Sequence, residues 1–185
     1  KGIKKNCAEI IVAEGNFHGR TTTIVGFSSE KEYKKGFGPF AEGFIETEYC
    51  SSNCNCSKVC ENSIRSIKNA INKNTCAVIV EPIQGEGGII TPQSGWLKQL
   101  RELCNESNVL LILDEIQSGL GRTGKLFAFE HEDIKPDGLI LGKDLGGGLL
   151  PVSAFLSSKE VMNHFNPGSH GSTFGGNPLA AKVAS

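Results

Sequence analysis

Two side chains with reactive chemistry follow two apolar runs of the sequence. Asp114 directly follows residues 109–113 (VLLIL), and Lys143 follows residues 139–142 (LILG). Short apolar runs predict buried strands, and open α/β sheets bind their ligands beyond the carboxyl ends of such strands. Pyridoxal phosphate enzymes need a lysine that holds the cofactor as a Schiff base and a carboxylate that partners its pyridine nitrogen. The two residues together predict a pyridoxal phosphate site.

A glycine-rich segment near the end of the sequence, residues 170–177 (HGSTFGGN), contains the hydroxyls of Ser172 and Thr173. Hydroxyls and free backbone amides in a turn before a helix form a cradle for anions such as phosphate. An ordinary glycine turn explains this segment equally well. The segment therefore supports a phosphate contact only when it is considered together with Asp114 and Lys143.

A nucleotide site has to be weighed as well, because residues 111–115 (LILDE) resemble a Walker B strand. Downstream, residues 119–125 have the Gly-x4-Gly-Lys spacing of a P-loop. A P-loop also needs Ser or Thr after its lysine and a strand directly before it. Here Leu126 follows Lys125, and the supposed Walker B stands where that strand should be. The sequence therefore disfavours a nucleoside triphosphate site.

Four of the seven cysteines lie within eleven residues: Cys50, Cys54, Cys56 and Cys60. Structural zinc sites usually contain Cys-x2-Cys pairs or histidine partners, and this segment has neither. We therefore predict no metal site and interpret the segment as a variable polar loop with reduced thiols. Reduced thiols fit a cytoplasmic protein, with the mitochondrial matrix as the alternative.

Composition narrows the class of protein. The 185 residues include 38% hydrophobic residues and carry a formal net charge of −1. These values predict one domain with a core, and they give no electrostatic argument for nucleic acid or an anionic membrane. No apolar run approaches the length of a membrane span. The sequence begins without Met and without an apolar signal region, so we expect an internal piece of a longer protein.

Apolar runs alternate with amphipathic segments, which predicts a βαβ layout. Strands are predicted at residues 10–13, 43–48, 75–80, 109–113, 139–142 and 152–156. Helices are predicted at residues 61–73, at 94–107 and from about 177 onward, and residues 21–28 fit a helix or a strand. The link between the last two strands is too short for a helical crossover, which indicates an antiparallel pair or a sheet edge.

Several segments, in the same order, resemble one known family. They are residues 16–21 (NFHGRT), 37–39 (FGP), 81–88 (EPIQGEGG), 114–124 (DEIQSGLGRTG), 141–143 (LGK) and 166–179 (NPGSHGSTFGGNPL). On these motifs the chain resembles the subgroup III, fold-type I pyridoxal phosphate aminotransferases, most closely the members that act on ornithine. The resemblance implies an α/β fold in which residues 1–185 form part of the large cofactor domain, a mostly parallel sheet flanked by helices. The family's N-terminal segment and C-terminal small domain would lie outside the chain.

The resemblance also implies roles in a cofactor site. Lys143 is similar to the Schiff-base lysine, which also carries the proton between the substrate carbon and the cofactor. Asp114 is similar to the carboxylate that keeps the pyridine nitrogen protonated. Gln117 resembles the residue that hydrogen-bonds the cofactor's phenolic oxygen, and Phe17 resembles the aromatic residue that stacks on its ring.

Other residues are similar to those that bind substrate or join subunits. Ser172 and Thr173 resemble a phosphate contact made from the neighbouring subunit, which implies a homodimer with shared sites. Arg20 matches the arginine that grips the α-carboxylate of ornithine, and Glu86 matches the glutamate that pairs with a second, carboxylate-binding arginine. The implied reaction transfers the δ-amino group of L-ornithine to 2-oxoglutarate, giving glutamate 5-semialdehyde and glutamate.

Asp144 departs from the family pattern, because a small apolar residue usually stands beside the lysine. An extra carboxylate there is expected to perturb Lys143. Glu81 is interpreted as a structural residue. Two alternatives stay open: an acetylornithine or 4-aminobutyrate aminotransferase, which shares the Asp and Lys motifs, and a non-catalytic protein of the same fold.

Overall fold

A single six-stranded sheet organises the computed structural model, which describes residues 2–51 and 58–185. The sheet order is β2-β1-β3-β4-β5-β6, and every neighbouring pair is parallel except the antiparallel pair β5-β6. The strands are β1 (Glu9–Ala13), β2 (Phe44–Thr47), β3 (Thr75–Val80), β4 (Leu110–Asp114), β5 (Gly138–Leu141) and β6 (Ala154–Ser157). The predicted α/β fold with a mostly parallel sheet is confirmed.

Helices cover the sheet and connect its strands. The α-helices are α1 (Thr22–Gly26), α2 (Lys31–Lys34), α3 (Lys58–Ala70), α4 (Trp96–Glu106), α5 (Lys159–Met162) and α6 (Pro178–Ala184). Two short 3₁₀ helices, Ala128–Glu132 and Lys143–Gly146, follow β4 and β5. The segment that fitted either a helix or a strand is helical, because the Val25 amide closes a turn on the Thr21 carbonyl and the Val25 side chain is buried.

The main core lies between one face of the sheet and helices α3 and α4. It contains the fully buried Val78 and Leu111 from the central strands, together with Ile67, Trp96 and Leu100 from the helices. Parallel strands buried on both faces contain nearly continuous apolar runs, which is why the sequence showed them clearly. A smaller cluster of Val12, Phe27 and Ile79 covers the opposite face.

One expectation for the cysteine-rich segment is wrong. Cys50 and Cys60 are joined by a disulfide, and their Cα atoms are 4.5 Å apart, a separation that a disulfide can span. Sequence spacing alone could not show that the chain returns on itself here, between β2 and α3. Cys54 and Cys56 lie outside the described residues. Within the described residues, no three His, Cys, Asp or Glu side chains form a group that could hold a metal ion.

The segment with the spacing of a P-loop forms a series of turns. Residues 119–125 lead from β4 into the 3₁₀ helix Ala128–Glu132, without the strand-to-helix arrangement that a P-loop requires. In the part of the chain that the structure describes, no helix has the length and apolar character needed to cross a bilayer.

Candidate active site

The carboxyl ends of four neighbouring parallel strands converge on the predicted cofactor residues. Asp114 is the last residue of β4, and Lys143 lies two residues beyond β5. Phe17 follows β1, and Glu81 directly follows β3. Because these strands are neighbours, their ends share one edge of the sheet. A cavity of about 150 Å³ at this edge is lined by Phe17, His18, Gly19, Glu81, Asp114, Ile116, Gln117 and Lys143.

Asp114 is buried and held by two hydrogen-bond donors. Its Oδ2 lies 2.7 Å from His18 Nδ1, and its Oδ1 accepts a hydrogen bond of 3.0 Å from the Ile116 amide. The side chains of His18 and Asp114 are almost fully buried, at 1% and 4% exposure. A carboxylate only accepts hydrogen bonds, so Nδ1 must carry the proton of this contact. His18 thus fixes the orientation of the acid.

His18 is a site residue that the sequence interpretation did not assign. It stands directly after Phe17, at the end of the same strand. A buried carboxylate needs a donor, and a histidine in a predicted site motif is a donor of the right kind. That signal could have found it. That Asp114 is the partner of His18 could not be predicted, because this requires knowing how the strands are arranged in the sheet.

Glu81 joins two of the converging strand ends. Its carboxylate accepts hydrogen bonds from the Phe17 amide at 3.0 Å and from the Gly85 amide at 3.3 Å. Burial raises the pKa of the Glu81 carboxyl, and the two backbone hydrogen bonds oppose that rise. Glu81 therefore holds the backbone of Phe17 against the turn that follows β3, which agrees with a structural role.

Lys143 has an unusual backbone conformation. Its φ is 44°, in the left-handed region that residues other than glycine seldom adopt. The turn is held by hydrogen bonds from the Leu145 amide to the Gly142 carbonyl, 3.0 Å, and from the Gly147 amide to the Asp144 carbonyl, 2.9 Å. Backbone strain of this kind collects at functional sites, where the surrounding structure maintains it. The Lys143 side chain is exposed and therefore open to a ligand.

The additional acid beside the lysine has a cationic partner. Asp144 Oδ2 lies 2.6 Å from an Nη atom of Arg122, which comes from the loop after β4. This ion pair offsets the extra negative charge that was expected to perturb Lys143. Both side chains are substantially exposed, so solvent screens the pair.

Gln117 and Glu86 lie next to each other at the edge of the cavity. Gln117 Nε2 donates to Glu86 Oε1 over 3.5 Å. Gly85 provides the space for the Gln117 carboxamide, because a Cβ on residue 85 would lie 2.7 Å from it. A second cavity, of about 420 Å³, also contains Gln117 and Lys143 in its lining. Gln117 therefore lines both cavities together with Lys143, and Glu86 contacts Gln117.

Not all predicted residues meet within this chain. Arg20 is exposed, with its guanidinium near the Phe17 ring. Ser172 and Thr173 are also exposed, and they do not line the two cavities that contain Gln117 and Lys143. Their segment leads into α6, whose Asn177 cap accepts a hydrogen bond from the Ala180 amide.

The groups around the 150 Å³ cavity fit pyridoxal phosphate. An aromatic ring, an amine, a buried carboxylate and a carboxamide all line it, in Phe17, Lys143, Asp114 and Gln117. These are the groups that the cofactor's ring face, aldehyde, pyridine nitrogen and phenolic oxygen require.

A family model supports the same conclusion from sequence. The model for aminotransferase class-III matches residues 1–185, the full length of the chain. The chain belongs to the aminotransferase class-III family. This membership agrees with the resemblance found in the sequence motifs.

Curated members of the class-III family resemble the chain over its whole length. Ornithine aminotransferase 2 of Staphylococcus aureus (strain MRSA252) is 57% identical over 184 residues, which cover 100% of the chain and 43% of that relative. Ornithine aminotransferase of Brevibacillus brevis is 54% identical over the same share of both. The chain thus spans less than half the length of these relatives.

Solved structures of class-III enzymes share the fold. Ornithine aminotransferase from Toxoplasma gondii is 44% identical, with a TM-score of 0.90 over 98% of the chain and 41% of that structure. Acetylornithine aminotransferase from Elizabethkingia anophelis is 51% identical, with a TM-score of 0.74 over 99% of the chain and 42% of that structure.

Proposed function

We propose that the chain is part of the large cofactor domain of a pyridoxal phosphate-dependent ornithine aminotransferase. The observation that carries this proposal is the convergence of Asp114 and Lys143, from neighbouring strands, on one cavity. The curated relatives named above support the choice of ornithine. The proposed reaction moves the δ-amino group of L-ornithine to 2-oxoglutarate, giving glutamate 5-semialdehyde and glutamate. The N-terminal segment and the small C-terminal domain are proposed to lie outside residues 1–185.

Each site residue has a defined task in this proposal. When bound, pyridoxal phosphate supplies an electron sink for the pair left on the substrate carbon after deprotonation. Lys143 Nζ would tether the cofactor and then carry the proton to and from that carbon. Asp114, oriented by His18, would hold the proton on the pyridine nitrogen. Phe17 would pack against the ring, and Gln117 would donate its amide N–H to the phenolic oxygen.

Substrate recognition is assigned to charged residues near the cavity. Arg20 would bind the α-carboxylate of ornithine as a planar, two-pronged donor, which leaves the distal amine free to react. Glu86 would pair with a second arginine from outside this chain while ornithine is bound. That pairing would let one pocket accept ornithine and then 2-oxoglutarate.

The assembly is proposed to be a homodimer in which Ser172 and Thr173 bind the phosphate of the neighbouring subunit's cofactor. Ser172 and Thr173 do not line the two cavities that contain Gln117 and Lys143, which supports this arrangement. Two large apolar side chains are also exposed, Phe174, which follows Thr173, at 80% and Leu149 at 82%, as expected for surfaces that a partner covers. We retain the cytoplasm as the proposed compartment, with the mitochondrial matrix as the alternative, although the Cys50–Cys60 disulfide removes part of the argument from reduced thiols.

One experiment tests the central assignment. In the complete, cofactor-loaded protein, Lys143→Ala should lower turnover by a factor of roughly 10²–10⁴ from the loss of proton transfer alone. Borohydride reduction of the unaltered protein should fix the cofactor to Lys143, as found by peptide mapping. Lys98→Ala, on the exposed side of α4, is the control and should retain full activity. A label on another lysine, or near-normal turnover of Lys143→Ala, would refute the proposal.

Acetylornithine aminotransferase is the second candidate. The 51% identity to the Elizabethkingia anophelis enzyme favours it, since this exceeds the identity to the Toxoplasma gondii ornithine enzyme. The two are separated by comparing kcat/KM for L-ornithine and N-acetylornithine, with 4-aminobutyrate in the same panel. A clear preference for N-acetylornithine would replace the ornithine assignment and leave the cofactor assignment intact.

A further inference from the structure

The guanidinium of Arg20 lies against two aromatic rings and has no acidic partner among the residues that the structure describes. Its Cζ is 3.8 Å from the centroid of the Tyr33 ring and 5.4 Å from that of Phe17, and both distances are within cation–π range. The ion pairs found among residues 2–51 and 58–185 do not include Arg20. A face-on ring attracts the positive charge without occupying its N–H groups. The donors in the guanidinium plane therefore stay available for a carboxylate.

The two rings also contact each other. Phe17 and Tyr33 meet edge to face, with centroids 5.9 Å apart and planes at 77°. This geometry is one that aromatic pairs prefer. Both rings line a cavity of about 320 Å³ together with Glu86. Tyr33 thus contacts both the guanidinium of Arg20 and the ring of Phe17, which is proposed to cover the cofactor.

Tyr33 is itself fixed relative to the end of β1. It belongs to α2, and the segment before α2 is bound back to the turn after β1. The Gly15 amide donates to Ser29 Oγ at 2.9 Å, and Asn16 Nδ2 donates to the Phe27 carbonyl at 3.2 Å. These bonds place the ring by backbone and buried polar contacts, so a ligand is not needed to order it.

We propose that Tyr33 is the positioning residue of Arg20. Its ring holds the face of the guanidinium, so that the N–H edge meets the α-carboxylate of an amino-acid substrate at the end away from the reacting amine. The inference rests on the proposed function, in which Arg20 binds that carboxylate. It adds Tyr33 as a residue that determines specificity for substrates with this carboxylate.

The test varies the ring's charge distribution while keeping its shape. In the complete cofactor-loaded protein, Tyr33 is changed to Phe and then to phenylalanine with one, two and three ring fluorines, which weaken the negative face of the ring stepwise. The ligand is pentanoate, which has the carboxylate and carbon chain of ornithine but no amine, so it cannot react. Its Kd is measured from the change in cofactor absorbance, and Arg20→Ala defines the part of the signal that belongs to Arg20.

The expected results separate positioning from general structure. Tyr33→Phe should keep the Kd of pentanoate within about twofold, and each fluorine should raise it. Tyr33→Leu should raise both that Kd and the KM for ornithine by roughly 3- to 30-fold. The kcat and the KM for 2-oxoglutarate should stay within about twofold. Phe37→Leu, an exposed aromatic residue of the next loop, is the control and should change none of these values.

Other outcomes distinguish this inference from the proposed function. A Kd that does not follow the number of fluorines, while Arg20→Ala still abolishes binding, overturns the role of Tyr33 alone. An Arg20→Ala variant with unchanged Kd and unchanged ornithine KM overturns the carboxylate assignment in the proposed function. Should Tyr33→Leu fail to fold, the fluorinated series still decides the question.

Discussion

At the scale of single residues, the site depends on how a buried acid is kept in one orientation. Asp114 has two donors, the Ile116 amide and His18, and the imidazole has no other described polar partner for its buried Nε2. Losing a donor to a buried carboxylate costs more than losing an exposed hydrogen bond, because water does not replace it. His18 is therefore expected to matter for cofactor binding although it is not the proposed partner of the cofactor.

Substitution of His18 tests this expectation. His18→Phe keeps a ring in the site but removes the donor to Asp114, and a hydrogen bond to a charged group is worth about 1.5–3 kcal/mol. The Kd of the complete apoprotein for pyridoxal phosphate, measured by absorbance titration, should rise roughly 10- to 100-fold. His18→Asn, which keeps an N–H donor, should recover part of the loss. His164→Phe, a substitution on the surface, is the control. Equal Kd values for His18→Phe and the unaltered protein would show that Asp114 does not need this donor.

The location of several proposed site residues could be predicted from sequence. Asp114 and Lys143 were named because each follows an apolar run, and Phe17 and Gln117 were named because they lie in recognisable motifs. All four line one cavity, and their roles are proposals. The left-handed backbone at Lys143 and the pairing of Asp144 with a residue 22 positions earlier could not be predicted. Both depend on contacts between loops that follow different strands, and a single sequence does not show such contacts.

At the scale of elements, the bounds of a strand could be predicted where turn-forming residues flank both ends of its apolar run. β3 has the predicted bounds, residues 75–80, because a turn precedes it and Pro82 follows it closely. The segment of residues 21–28, which contains helix α1, was ambiguous, because Thr and Ile favour strands whereas the packing of Val25 favours the helix. The short link before β6 indicated an antiparallel pair or a sheet edge, and the structure shows the antiparallel pair β5-β6 at the edge of the sheet. The rest of the strand order could not be predicted, because it is set by contacts between elements that are distant in sequence.

Asp137 connects the amino ends of the two strands that carry the proposed catalytic pair. Its Oδ2 accepts hydrogen bonds of 2.7 Å from the Leu111 amide of β4 and from Nη1 of Arg101 on α4. Its own amide donates to the Leu111 carbonyl over 2.9 Å. The side chain of Arg101 is 11% exposed, so it would lose its partner in a largely dry setting. This contact holds β4, β5 and α4 together at the edge opposite the site.

Removal of this contact should lower stability and spare the chemistry. Asp137→Ala should reduce the free energy of unfolding by about 1–3 kcal/mol, and Asp137→Asn, which keeps one acceptor, should reduce it less. The measurement is the urea midpoint of the complete protein. Glu32→Ala removes an exposed partner of Lys35 and is the matched control, with an expected loss below about 0.5 kcal/mol. Equal losses in the two Ala variants, or a changed KM for ornithine in Asp137→Ala, would contradict this interpretation.

At the scale of the whole molecule, some residues of the proposed site do not line the cavity of their own chain. Lys143 and Asp114 line the cavity at the carboxyl edge of the sheet, whereas Ser172 and Thr173 lie on an exposed segment and do not line it. A symmetric dimer brings the same surface of each subunit to its partner, so each subunit can complete the other's site. The sequence suggested that Ser172 and Thr173 contact a phosphate. Whether they bind the cofactor of their own subunit or of the partner depends on how the subunits assemble.

Mixed dimers decide whether the site is shared. Lys143→Ala and Thr173→Ala subunits of the complete protein, each with a different affinity tag, are coexpressed, and the dimers that carry both tags are isolated. If Thr173 serves the neighbouring subunit, one site of such a dimer has both defects and the other has neither, so turnover should return to about half that of the unaltered dimer. If Thr173 serves its own subunit, each site keeps one defect and turnover should not exceed the average of the two parent variants. We expect Thr173→Ala alone to be clearly impaired, so that the average of the two parents lies well below half. The turnover of the purified mixed dimer, compared with both parents, then separates the two arrangements.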